Sequence, residues 1–98
     1  MANYQLTNKT IEDLDSIWLY SCEVWSEKQA DQYYHDLIAA CESICKESFN
    51  ADKEYAEIQS GLKCRQCHKH LIFYKYSSED LVTIIRILHE SMDITSKF

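Results

Sequence analysis

The run Cys64-Arg65-Gln66-Cys67-His68-Lys69-His70 gathers the side chains of this 98-residue chain best suited to chemistry. Cys-x-x-Cys-His is the string to which c-type haem is attached. Thiolate and imidazole together suit tetrahedral zinc, and a Cys-x-x-Cys pair serves thiol–disulfide exchange. Each reading lacks something it needs. Haem attachment requires export to an oxidising space and a second axial ligand, and the start MANYQLTNKT has neither the positive and apolar regions nor the cleavage site of a secretory leader. A structural zinc site calls for a second ligand pair. Cys41 and Cys45 stand one helical turn apart, but on an apolar stripe, where a thiol packs as a small hydrophobe. A redox pair belongs at the start of a helix, whereas this one falls in a strand region. The expectation is therefore no metal and no cofactor. His68, His70 and His89 are candidate general bases, yet no serine or carboxylate stands at a recognisable triad spacing from them.

Charge narrows the partners. Ten Lys and Arg against sixteen Asp and Glu leave a net charge of −6, which argues against a protein whose main task is gripping polyanions. The charge is polarised along the chain: Lys63, Arg65, Lys69, Lys75 and Arg86 lie in the second half, and Glu12, Asp13, Asp15, Glu23, Glu27 and Asp31 in the first. The cations make either a local polar or anion-binding surface or ordinary solvent-facing strand positions. One glycine and no proline exclude Gly-rich phosphate loops and Pro-rich linkers and favour long helices. Five cysteines, an odd number, read as reduced thiols. No apolar run approaches the eighteen or so residues of a membrane span, so a soluble, cytoplasmic protein without a membrane partner is expected.

Ninety-eight residues make a single domain, 1–98. Asn3 to Leu6 alternate polar and apolar, a short strand running into a helix cap at Thr7 and Asn8. From Asn8 to Trp25, Ile11, Leu14, Ile17, Trp18, Ser21 and Trp25 recur at helical spacing, and Glu12, Asp13 and Asp15 sit where the positive end of the helix dipole favours them. Ser26-Glu27-Lys28-Gln29 fits a capping box. Behind it Ala30, Tyr33, Tyr34, Leu37, Ile38, Cys41, Ile44 and Cys45 form one stripe of a second helix reaching about Phe49. Two helices with almost no linker must fold back as a hairpin. Asn50 to Ser60 reads as a connection. Leu62 to Cys67, His70 to Tyr76 and Leu81 to Leu88 then form an antiparallel meander. The last strand is apolar on both faces, hence central and covered by the hairpin. A tail from Glu90 to Phe98 follows. Trp18, Trp25, Tyr33 and Tyr34 are either core residues or the wall of a partner groove.

Several strings together resemble one family over nearly the whole chain. Tyr4-Gln5-Leu6-Thr7, Asp13-Leu14, Ile17-Trp18-Leu19-Tyr20, Trp25, Gln29-Ala30 and Tyr33 are similar to the N-terminal half of ParE-type toxins of bacterial toxin–antitoxin pairs. Gly61-Leu62-Lys63, His70-Leu71-Ile72-Phe73-Tyr74, Ile85-Arg86-Ile87-Leu88-His89 and Met92-Asp93 resemble that family's sheet and tail in the same order. The resemblance implies an α+β, RelE/ParE-like fold of order β-α-α-β-β-β, with an N-terminal helical hairpin packed on an antiparallel sheet and a short C-terminal tail. It further implies a toxin that poisons DNA gyrase, is not an enzyme, and is neutralised by a ParD-like antitoxin. Lys63 stands where the family commonly has arginine, keeping the charge without the planar fork.

Carried over by position, Lys63, Arg65, His70, Arg86, His89, Met92 and Asp93 are the residues implied at or beneath the toxicity surface. Trp18, Trp25 and Tyr33 are those implied for antitoxin binding; Cys64 and Cys67 fall outside the shared pattern. The rival on the same fold is a RelE-like ribosome-dependent messenger RNA endonuclease. It should be basic and use a tail tyrosine or histidine, whereas this chain is acidic and has no tyrosine after Tyr76, leaving His89 alone. A third reading is a binding-only homologue. Direct sequence-specific nucleic-acid binding is not expected.

Overall fold

The computed structural model describes residues 3–46 and 52–98. Strand β1 (Asn3–Leu6) leads into helices α1 (Asn8–Val24) and α2 (Glu27–Lys46), followed by β2 (Lys53–Glu54), β3 (Lys63–Cys67), β4 (His70–Ser78), β5 (Leu81–His89) and a 3-10 turn at Thr95–Lys97. The expected run of the second helix from residue 47 to Phe49 lies outside the described residues, as does the start of the connection at Asn50.

The caps form where the sequence puts them. Thr7 Oγ1 accepts from Thr10 N–H, and Ser26 Oγ accepts from Gln29 N–H at 3.1 Å, the serine half of the capping box. Asp13 does not serve the helix dipole as expected. The first turn of α1 holds no acidic residue, and Asp13, in the second turn, turns to the sheet.

The sheet order is β1-β5-β4-β3-β2. β2 to β5 are antiparallel in sequence, whereas β1 joins β5 in parallel, so the sheet is mixed. The long connection through the hairpin and the remaining strands supplies the crossover that a parallel pair requires. The connection after α2 contributes the short β2, which its polar composition did not announce.

β4 is the middle strand; β5, expected to be central, is interior only over residues 81–84, where β1 flanks it, and both its faces are buried. On one face Leu14, Leu37, Cys41 and Ile44 of the hairpin pack on Ile72, Tyr74, Val82, Ile84 and Ile87, each such aliphatic contributing about 1.5–3 kcal/mol by leaving water. On the other face Leu62, Cys64, Phe73 and Leu88 are covered by Tyr55, Ile58 and the tail residue Ile94. Phe98 adds an edge-on contact to Phe73, with ring centres 5.2 Å apart. Cys64 therefore faces away from the helices while Cys67 faces them, so the Cys-x-x-Cys pair straddles the sheet. Burial pushes the Cys41 thiol up to about 12 and that of Cys64 up to about 11, which keeps both protonated at neutral pH.

The apolar stripe of α1 is rotated from the one read in the sequence. Thr10, Leu14 and Ser21 are buried, but Ile11 is 45% and Trp25 54% exposed. The aromatics are not core residues either: Trp18 and Tyr33 are half-buried, and Tyr34 is exposed.

Candidate functional site

The junction between β1 and α1 is built by three side chains one helical turn apart. β1 accompanies β5 only as far as Ile84, and beyond it the β5 edge would offer bare polar groups. Thr10 Oγ1 donates to Ile84 C=O at 2.8 Å, Thr7 Oγ1 donates to Ile85 C=O at 3.0 Å, and Ile87 N–H donates to Asp13 Oδ2 at 3.1 Å. α1 thus continues by side chain the ladder that β1 began. The same carboxylate holds Arg86, whose Nε and Nη2 each lie 2.8 Å from an Asp13 oxygen, with both side chains mostly buried. Arg86 Nη1 also donates to the carbonyl of Lys97 at 2.9 Å, tying the tail to the sheet.

A second arginine is held in the same way. Arg65 Nε and Nη2 reach Asp52 at 3.1–3.2 Å, and Tyr74 donates its hydroxyl to the same carboxylate. Burial, followed by the hydrogen bond to Asp52 and then its negative charge, drives the Tyr74 phenol upward, so it remains a donor.

Opposite the α1 junction, the end of the sheet meets α2 in a cluster of Tyr33, Asp36, His68, His70 and His89. Strand register sets His70 against His89, with ring centres 5.2 Å apart. Tyr33 Oη stands 2.6 Å from His70 Nδ1 and accepts the Lys69 N–H at 3.3 Å. The same hydroxyl thus joins the Lys69 backbone to the His70 ring, and His70 Nδ1 is engaged by it. His89 Nδ1 is likewise engaged, accepting the Ser91 N–H at 3.1 Å. His68 adopts φ 56, a left-handed backbone that disfavours side chains. It is pinned there by an Nε2 contact to Asp36 at 2.9 Å and by ring contact with Tyr33. That hydrogen bond holds the Asp36 carboxyl below its usual range.

Burial, then the neighbouring His89, lowers His70 to about 4, against about 6.5 in an unfolded chain. The unfolded chain therefore binds the extra proton first as pH falls, and stability is lost from about pH 6.5 down to about 4. Discounted for partial solvent access, the loss is about 1–2 kcal/mol. Urea midpoints measured across this window should slope with pH in the unaltered chain and flatten in His70→Phe. Equal slopes would exclude His70 as the source.

The seven residues expected at the toxicity surface do not form one patch. Register puts Lys63 and Arg65 on the helix-facing side with Tyr74, Ile72 and His70. Arg86 pairs with Phe73 and meets the tail, and Met92 and Asp93 lie exposed past the end of β5. Trp25 and Tyr33 touch one another at 6.1 Å beside the histidines. Trp18 stands apart on the outer face of the hairpin, donating its indole N–H to Asp31 at 2.9 Å. Sequence reasoning missed Asp52, Asp36 and Thr10. An alternating strand with an inward arginine was a usable signal that a carboxylate must meet it; the position of that carboxylate was not. Among the described residues no three His, Cys, Asp or Glu side chains converge to hold a metal ion, and no helix is long and apolar enough to cross a membrane.

The comparisons with known proteins agree with this architecture. A family profile described as the ParE toxin of the type II toxin–antitoxin system parDE matches residues 4–94. The chain is 32% identical to Toxin ParE1 of Caulobacter vibrioides over 93 residues, covering 95% of this chain and 94% of that one. It is 26% identical to Toxin ParE1 of Mycobacterium tuberculosis over the same span. Its fold is similar to a solved structure titled "Chromosomal ParDE TA system from P. aeruginosa". The TM-score is 0.78 at 15% identity, over 91% of this chain and 96% of that one.

Proposed function

Because the chain belongs to the ParE toxin family of type II toxin–antitoxin systems, we propose that it poisons DNA gyrase in the cytoplasm and is silenced by a ParD-like antitoxin. In this reading it binds and traps its target and catalyses no reaction of its own. The observation that carries the choice over a messenger RNA nuclease is the state of the cationic and basic groups. Both inward arginines are engaged by carboxylates, Arg65 by Asp52 and Arg86 by Asp13. His70 stays neutral to about pH 4. Both sheet-end imidazoles have their Nδ1 engaged in a hydrogen bond. A nuclease needs a free base and a cation facing the scissile phosphate, and the net charge of −6 adds repulsion of RNA.

The target surface in this reading is formed by His89, Met92 and Asp93 past the end of β5, with Arg65, Arg86 and His70 holding its supports in place and Lys63 a separate contact toward the other end of β3. Trp18, Trp25 and Tyr33 meet the antitoxin, whose disordered segment folds as it docks. Supercoiling by purified gyrase with and without the protein, scored for linear cleaved DNA beside a cell-free translation reaction, tests the reading. Accumulated cleaved DNA with normal translation is the expected result. Untouched gyrase with loss of messenger RNA would transfer the function to the nuclease class.

A further inference from the structure

The outer face of the hairpin, away from the sheet, carries a groove that the fold does not use. It is lined by Asp15, Trp18 and Leu19 of α1 and by Asp31, Tyr34 and His35 of α2. We propose that this groove seats one cationic side chain, a lysine or arginine, of a basic amphipathic segment of the antitoxin. The inference rests on the toxin–antitoxin reading above and names the chemistry of the partner.

Three observations converge on a cation. The walls are aromatic, and the faces of Trp18 and Tyr34 attract a cation directly. Two carboxylates border the same space, and the Trp18 N–H bond to Asp31 Oδ1 at 2.9 Å fixes indole and carboxylate relative to each other before anything binds. The surrounding field has the matching sign. Eight carboxylates against three lysines on α1 and α2 leave a net −5, nearly all of the chain's −6. Two of the eight, Asp13 and Asp36, are turned to Arg86 and His68, so the remainder stands toward solvent. Lys9 and Lys28 dilute the field without lining the groove.

The partner is also amphipathic. Leu19, on the rim of the groove, is 59% exposed and offers an apolar surface next to the carboxylates. A small inorganic cation would leave Leu19 and the aromatic rings bare, whereas a segment presenting one cation next to an apolar residue covers both.

Titration of the full chain with its ParD-like antitoxin at a series of salt concentrations tests the assignment. The double variant D15N/D31N should bind about tenfold more weakly at low salt and lose much of its salt dependence. D15K should weaken binding further, and replacing the seated antitoxin lysine or arginine with methionine should reproduce the loss. Far-UV dichroism and melting of each variant establish that it is folded. Unchanged affinity and salt dependence in a folded D15N/D31N chain would overturn the cation seat while leaving the antitoxin reading intact. No binding by the unaltered chain would remove both. Self-association of the chain that D15N/D31N abolishes would assign the groove to a second copy and overturn the proposal.

Discussion

Replacing Asp13 with alanine is expected to destabilise the chain by about 3 kcal/mol, a large share of the roughly 5–15 kcal/mol available to a domain of this kind. The loss has three parts. Arg86, mostly buried, would keep its charge without its counter-charge. Ile87 N–H would lose its acceptor at the open edge of β5. The guanidinium, no longer clamped by two 2.8 Å contacts, would also hold the Lys97 carbonyl less well. For a chain of about 100 residues this corresponds to a fall in Tm of about 10–20 °C. The tail reports the same event independently, because amide exchange over 92–98 should accelerate more than the fall in global stability requires. The double variant D13L/R86M should recover most of the loss, since an apolar pair leaves no charge behind. A fall in Tm of less than about 4 °C in Asp13→Ala would show that the clasp contributes little.

The Asp13 result separates what the sequence made legible from what it hid. Helix spacing, the Ser26 cap and the apolar run Leu81 to Leu88 are local patterns, and each placed its element correctly. Cover of β5 by the hairpin on at least one side was readable because both its faces are apolar, but the cover of its second face by Tyr55, Ile58 and the tail was not. Long-range pairing was not readable. The acidic residues near the start of α1 looked like dipole partners, and only the fold shows that Asp13 meets an arginine 73 positions away. The parallel β1 was hidden for the same reason, since four residues carry no direction. The Cys-x-x-Cys string misled because its spacing is chemical only when both thiols share a face, and a three-residue step in a strand puts them on opposite faces. The aromatics pointed to the hairpin surface, but their exposure depended on the helix rotation: Leu14 and Ser21 of the expected stripe are buried, while Thr10 takes the buried place expected of Ile11.

The second large effect belongs to Asp52, which stands where the connection enters β2. Asp52→Ala should cost about 2–3 kcal/mol, because it leaves the Arg65 charge and the Tyr74 hydroxyl without their shared acceptor. The parts can be told apart. Tyr74→Phe removes one neutral donor and keeps the ion pair, so about 1 kcal/mol is expected. Asp52→Asn keeps an oxygen for Tyr74 and loses the charge, and should fall between the two. Tyr74 is 1% exposed and sits among the core residues under the hairpin, so its hydroxyl loses its one carboxylate acceptor when Asp52 is gone. Combining Tyr74→Phe with Asp52→Ala should therefore be less destabilising than the two losses added together, since the phenylalanine removes the orphaned donor. Strict additivity in urea unfolding would mean that Tyr74 and Asp52 act separately, and that the carboxylate's contribution comes from Arg65 alone.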